Sequence, residues 1–188
     1  LQNSQLIGLT FAGGKIVNQN NPVLIPNMPD SSCFACGPAN DRGLQMKFYK
    51  SGNILYSEIS IPEYMAGWNG VVHGGILSTL LDEVMGWGAI VFLKKFILTK
   101  SMTVNYHSPV MVLDTLRIES LVREHISERE AVMEAKILNS EGKVCVTSTG
   151  IFALLNKEFL ARLDVTDKKQ IDYFDNFFNT FGVEETVP

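Results

Sequence analysis

Leu44, Met46 and Phe48 alternate with Gln45, Lys47 and Tyr49. A period of two marks a strand with one buried face, so the pattern predicts a strand over 44–50. Ser-Gly-Asn at 51–53 reads as a turn into a second strand over 54–62, and the two make a hairpin. After a loop over 63–72 the period changes. On a wheel of about 100° per residue, Ile76, Leu77, Leu80, Leu81, Val84, Met85, Trp87 and Val91 fill about half the circumference. The other side holds Ser78, Thr79, Asp82, Glu83, Gly86 and Ala89. This predicts a long central helix over 76–91, with an apolar face for a sheet and a small-residue face for something else. Alternation returns over 101–109, 114–124, 129–138 and 144–155. The turn at 139–143 offers Gly142 for a positive φ, and the last strand closes the sheet. Two strands, one helix and four strands joined by short loops make an α+β antiparallel design.

The ends lack this regularity. Residues 1–32 carry Gly13, Gly14, Pro22, Pro26 and Pro29 and read as an N-terminal extension with a short helix. The domain itself runs over 33–155, and 156–188 is a C-terminal extension. In that extension Ile171, Phe174, Phe178 and Phe181 recur at helical spacing, with Tyr173 and Phe177 alongside. They predict an amphipathic helix over 166–181, either packed on its own domain or acting as a lid or partner contact.

The 188 residues suit one domain with extensions. A net charge of −4 with no block of Lys and Arg argues against nucleic acid as a partner. No uninterrupted apolar run reaches the roughly 18 residues of a membrane span. No charged segment followed by an apolar one opens the chain, so no signal peptide and a cytoplasmic location are expected. The chain also lacks an initiator Met, as a trimmed chain would. Cys33, Cys36 and Cys145 are too few for a disulfide framework. Cys33-Phe-Ala-Cys36 has the spacing of half a zinc site, but no second pair follows and the histidines are scattered. It reads as two thiols in a loop, with a redox pair or a zinc shared between subunits as the other readings, and no metal is expected.

The chemistry concentrates in "VVHGGILSTLLDEVMGW", residues 71–87. A run this apolar is normally buried, and a buried carboxylate is unfavourable unless it is paired or used. Yet it carries Asp82 and Glu83 and opens with His73-Gly74-Gly75. That opening, with Asp82 nine residues after the His, resembles the PaaI-type hotdog-fold acyl-CoA thioesterases. So do the preceding "CFACGPANDRGLQMKFY" and the following "SMTVNYHSPV", which ends in Tyr106-x-x-Pro109. The resemblance spans about residues 33–155.

It implies a hotdog fold, an antiparallel sheet wrapped around one long helix. Two subunits pair with their sheets joined into one, as a homodimer or as a tetramer of such pairs. The substrate is an acyl-CoA, and no separate cofactor is needed because CoA is part of the substrate. His73 and Gly74 or Gly75 come from one subunit and Asp82 from the other. The glycine amide polarises the thioester carbonyl, and Asp82 serves as general base or nucleophile. Thr99 stands where a Ser or Thr assists that aspartate. Gly67 stands where some relatives have an Asn that helps bind water or the thioester, with Trp68 and Asn69 beside it. Ser108 stands where relatives often have a basic residue, so His107, Arg123 or Lys100 would take up the CoA phosphates.

Elementary chemistry fits these assignments. Thioester hydrolysis builds negative charge on the carbonyl oxygen, which a free amide at a helix N-terminus stabilises. Glycine lets the backbone approach without a clashing Cβ. A carboxylate base makes water a competent nucleophile, and burial would raise its pKa and improve it. Plainer readings stand beside each. Gly74-Gly75 is also what a turn before a helix needs, and His73 can serve only to hold that turn. Glu83 competes with Asp82 as the working carboxylate, and Thr99 can be an ordinary strand residue. Trp68 and Trp87 read as core or pocket wall. Two other activities share the expected fold: hydration or dehydration of enoyl and hydroxyacyl thioesters, and acyl-CoA binding without turnover.

Overall fold

The computed structural model describes residues 22–163 and 166–181, together with the backbone of two short paired strands, β1 (Phe11–Ala12) and β2 (Lys15–Ile16). Most of the N-terminal extension, where a helix was expected, lies outside the described residues.

One helix and one sheet make the core. Helix α1 (Gly74–Leu93) is two residues longer at each end than its apolar periodicity predicts. Around it lie β3 (Val23–Leu24), β4 (Tyr49–Ser51), β5 (Ile54–Ser60), β8 (Phe96–Tyr106), β9 (Thr115–Ser127), β10 (Glu130–Leu138) and β11 (Val144–Leu155). They form one antiparallel sheet in the order β3-β4-β5-β9-β10-β11-β8. A short hairpin of β6 (Ala66–Trp68) and β7 (Val71–Val72) precedes α1. Strand β11, expected to close the sheet, instead lies between β10 and β8, and β8 is the edge.

Alternation does the work of assembly. Along β10, Ala131, Met133, Ala135 and Ile137 are buried while their neighbours are half-exposed. With Leu116, Ile118 and Phe152 they form a floor on which Leu80, Leu81, Val84 and Met85 of α1 pack, all four with no exposed surface. Burying each such side chain is worth about 1.5–3 kcal/mol against leaving it in water. Gly88 lets helix and sheet come close: a Cβ there would lie 2.7 Å from Ser120 Oγ. That hydroxyl donates to the Val84 carbonyl at 2.8 Å. By length and composition α1 passes for a membrane span, which the expectation from uninterrupted runs missed. Ten of its twenty residues are buried in its own domain, as a core helix requires.

Two expectations change. Leu44, Met46 and Phe48 are buried and Gln45 and Lys47 exposed, yet only Tyr49–Ser51 of that stretch is strand. Gln45 takes a φ of 51°, and the Leu44 and Met46 amides donate to Phe34 and Ala35 carbonyls rather than to a sheet neighbour. The alternation there reports burial, not a ladder. Trp68, read as core or pocket wall, is 84% exposed on the β6–β7 hairpin.

Beyond β11, α2 (Lys157–Leu163) was not anticipated. Helix α3 (Lys168–Thr180) is capped by Asp167, whose side chain accepts from the Gln170 amide at 2.8 Å. It packs on its own domain: Phe174 lies 5.8 Å from Trp87 and Phe178 lies 5.2 Å from Phe96, ring centre to ring centre.

Candidate active site

The site begins at the start of α1. His73 is the N-cap residue, and its Nδ1 accepts from the Gly75 amide at 2.9 Å. The Gly75 N–H is therefore engaged. Gly74 holds the first helical position, where the N–H has no intrahelical acceptor, and the positive end of the helix lies behind it. Its carbonyl accepts from Tyr106 at 3.0 Å and from Ser78 at 3.0 Å, and those two hydroxyls lie 2.8 Å apart. Tyr106, at the end of β8, thus pins the helix start to the edge strand. The β6–β7 hairpin covers the other side, with the His73 amide donating to Met65 at 3.0 Å. A Cβ at Gly67 would lie 3.1 Å from both the Cα and the ring of His73, so a side chain there would press on the residue that starts the helix.

Asp82 is half-buried two turns further along, and Thr99 of β8 donates to its Oδ1 at 2.8 Å. Both line a small groove of about 90 Å³ with Glu83, Gly86, Trp87, Ile90 and Ile97. Ile90 and Ile97 also line a neighbouring apolar groove of about 200 Å³, with Phe96, Leu160, Phe174 and Phe178. The eight positions from Gly74 to Asp82 span about 12 Å at ~1.5 Å per residue. One thioester carbonyl cannot meet both within a single chain.

Glu83 turns the other way. Its Oε1 accepts from Trp87 Nε1 at 3.1 Å, and its two oxygens lie 3.8 and 4.0 Å from Cys33 Sγ. Burial pushes its carboxyl up to about 7. Cys36 is buried, and its sulfur accepts from the same Trp87 Nε1 at 3.4 Å. This grouping was not foreseen, although Glu83 and Trp87 stand four residues apart on one helix.

The remaining candidates scatter. Asn69 is exposed near Trp68 on the β6–β7 hairpin. His107 is exposed beyond the end of β8, its Nε2 2.8 Å from Thr147 Oγ1, and Ser108 is half-buried with its amide donating to Cys145. Lys100 pairs with Glu130 at 2.8 Å. Arg123 pairs with Glu134 at 3.0 Å on β9, three strands from β8, and does not join Asp82.

Comparison with known proteins shows what this geometry resembles. Residues 69–146, from the hairpin through β10 into β11, match the model of the thioesterase superfamily. That match covers less than half of the chain. Acyl-coenzyme A thioesterase THEM4 of Xenopus laevis is 31% identical over 93 residues, 49% of this chain and 41% of that protein. The chain thus spans less than half of that relative's length. Among solved structures, a thioesterase superfamily protein, RHA08564, aligns with a TM-score of 0.60 at 23% identity, covering 65% of this chain and 60% of that one. PaaI from the phenylacetic acid degradation operon of E. coli aligns with a TM-score of 0.55 at 19% identity, covering 60% and 81%. The antiparallel sheet around one long helix is the hotdog fold of this superfamily. The matched segment contains both the Gly74 amide and the Asp82–Thr99 pair.

Proposed function

We propose that this chain hydrolyses acyl-CoA thioesters to free acid and CoA, at a site shared between two copies. The observation that carries the proposal is the pairing of Asp82 with Thr99 on a groove, with a free amide at Gly74 about 12 Å away on the same helix. Gly74 of one copy polarises the thioester carbonyl, and Asp82 of the other removes a proton from the attacking water. Thr99 donates to Oδ1 and so turns the remaining carboxylate lone pairs toward that water. Because His73 Nδ1 occupies the Gly75 amide, the oxyanion donor is Gly74 and His73 holds the turn. Among the described residues, edge strand β8 has no neighbour on one side, which supports pairing of two sheets through it. The likeness to an acyl-coenzyme A thioesterase over 93 residues supports the substrate class.

The acyl chain runs over Ile90 and Ile97 into the groove lined by Phe96, Phe174 and Phe178. His107, exposed and bound to no acidic side chain among the described residues, takes up a CoA phosphate, whereas Lys100 and Arg123 are engaged by Glu130 and Glu134. Enoyl-thioester hydration is the second reading. It needs a free imidazole base, and the capping role of His73 Nδ1 argues against it. The test is thiol release from short, medium, long and aromatic acyl-CoAs, with Asp82→Ala as control. Turnover lost in that variant supports the proposal. Full turnover in it, hydration of crotonyl-CoA instead, or tight acyl-CoA binding without turnover would each refute it.

A further inference from the structure

Glu83 is a half-buried carboxylate that the proposed hydrolysis does not use, and none of the ion pairs among the described residues includes it. A buried carboxylate without a cation is unfavourable, so what it faces matters. It faces two thiols. We infer that Cys33, Cys36 and Glu83 bind a zinc-class divalent cation, which clamps the loop preceding β4 to the middle of α1.

The geometry is near that of a metal site. The two sulfurs and a Glu83 oxygen all lie within 4.8 Å of one another, and Cys33 Sγ is 3.8 Å from the nearer oxygen. A tetrahedral zinc, bonded at about 2.3 Å to sulfur and about 2.0 Å to oxygen, holds its ligand atoms roughly 3.5–3.8 Å apart. Side-chain adjustments of about an ångström or less close the trio on an ion. Two thiolates and a carboxylate favour zinc over the hard cations calcium and magnesium, which take oxygen ligands.

The surroundings fit ligands rather than a chance cluster. The Cys33–Cys36 turn closes through the Gly37 amide, which donates to the Cys33 carbonyl at 2.9 Å. A Cβ at Gly37 would lie 2.5 Å from the Cys33 nitrogen and the Ser31 carbonyl, so the turn requires glycine. Trp87 Nε1 reaches both Cys36 Sγ at 3.4 Å and Glu83 Oε1 at 3.1 Å, an outer donor that orients two ligands at once. Cys33 is half-exposed, which leaves the fourth position to water. Binding releases the thiol protons to solvent and neutralises most of the trio's charge. The sequence offered only a Cys-x-x-Cys pair, and the third ligand arrives from fifty residues away. With Glu83 held as a ligand, Asp82 is the free carboxylate of the pair. The cation itself takes no part in the proposed hydrolysis, so the two proposals stand or fall separately.

The test uses the full chain, stripped with a chelator under reducing conditions and titrated with cobalt(II) alone. The expected result is thiolate-to-cobalt charge transfer in the near ultraviolet with tetrahedral visible bands, and stoichiometric zinc by mass spectrometry after dialysis against zinc. Cys33→Ser and Cys36→Ser should abolish the charge-transfer intensity stepwise, and Glu83→Gln should weaken cobalt affinity about tenfold or more. The wild-type titration needs no variant, so a poorly folding variant leaves the test intact; circular dichroism tracks each fold. Absence of the bands, substoichiometric zinc, or cobalt affinity unchanged in Glu83→Gln would overturn the assignment. So would a Cys33–Cys36 disulfide in the chain as purified, seen by intact mass before reduction, since it would make the pair a redox couple.

Discussion

Thr99 of the edge strand donates to Asp82 of the central helix at 2.8 Å, and this bond orients the one carboxylate that opens onto the groove without another engagement. Removing a general base typically lowers the rate by 10²–10⁴-fold. Asp82→Ala should therefore lose kcat by about that much with an unchanged circular dichroism spectrum. Thr99→Val, which keeps shape and strand propensity but not the donor, should lose about tenfold, corresponding to a net hydrogen bond of ~1–1.5 kcal/mol. Thr99→Ser should retain most activity. Steady-state kinetics on one acyl-CoA resolves all three, and an unaffected Thr99→Val would remove Thr99 from the account.

His73 caps α1 through its Nδ1. Loss of an N-cap typically costs about 1 kcal/mol. His73→Ala should lower the Tm by about 2–4 °C, whereas His73→Asn, itself a good cap, should restore most of the loss. Calorimetry measures both. Equal destabilisation by Ala and Asn would mean that the imidazole acts through something other than the cap.

Ile97 stands where the groove at Asp82 meets the apolar groove under α3. Ile97→Trp should block that junction. We expect kcat/KM for long acyl-CoAs to fall about tenfold or more while acetyl-CoA turnover changes little, since a methylene-sized misfit alone is worth ~1–3 kcal/mol. A uniform loss across chain lengths would place the acyl chain elsewhere.

Glu119 supplies a pH signature on the far side of the sheet from α1. Burial alone would raise its carboxyl, but Arg117 at 2.7 Å and Lys136 at 3.1 Å outweigh burial and hold it below the ordinary range. A depressed carboxylate means that the unfolded chain takes up the proton first, near pH ~4.3. Its stabilisation is present above that pH and is lost as pH falls through the lower folded value. Glu119→Gln should therefore be less stable than wild type at pH 7, with the gap in Tm closing as the pH falls through the depressed folded value. A gap independent of pH would show that the charge is not what matters.

Much of this was legible before any coordinates. The helix over 76–91 and the strands over 114–124, 129–138 and 144–155 stand out because each has one buried face, and burial imposes a period. Asp82 and Thr99 were named from the sequence, and the fold brings them into contact. What stayed hidden depends on contacts between distant segments. Period alone cannot distinguish Leu44, Met46 and Phe48 on an irregular segment from the same residues on a strand. The wheel set Glu83 beside Asp82 but not against Cys33, because only the fold brings the 33–36 turn over the helix. Nor does a lone Trp68 reveal that it tips an exposed hairpin.

The central claim is that each site needs Gly74 from one copy and Asp82 from another. Gly74→Pro removes only the amide donor: proline is suited to the first helical position, and His73, with φ −60° and ψ 133°, already has the extended backbone that must precede it. Alone, it should lose about 10²–10³-fold in kcat, as Asp82→Ala loses by the other route. Mixing the two inactive variants, with subunits exchanged by mild denaturation and refolding, tests the sharing directly. Random pairing makes about half the dimers mixed, each with one intact site, so activity should recover to about a quarter of wild type. A mixture as inactive as its components, while native mass spectrometry shows mixed dimers, would contradict the shared site.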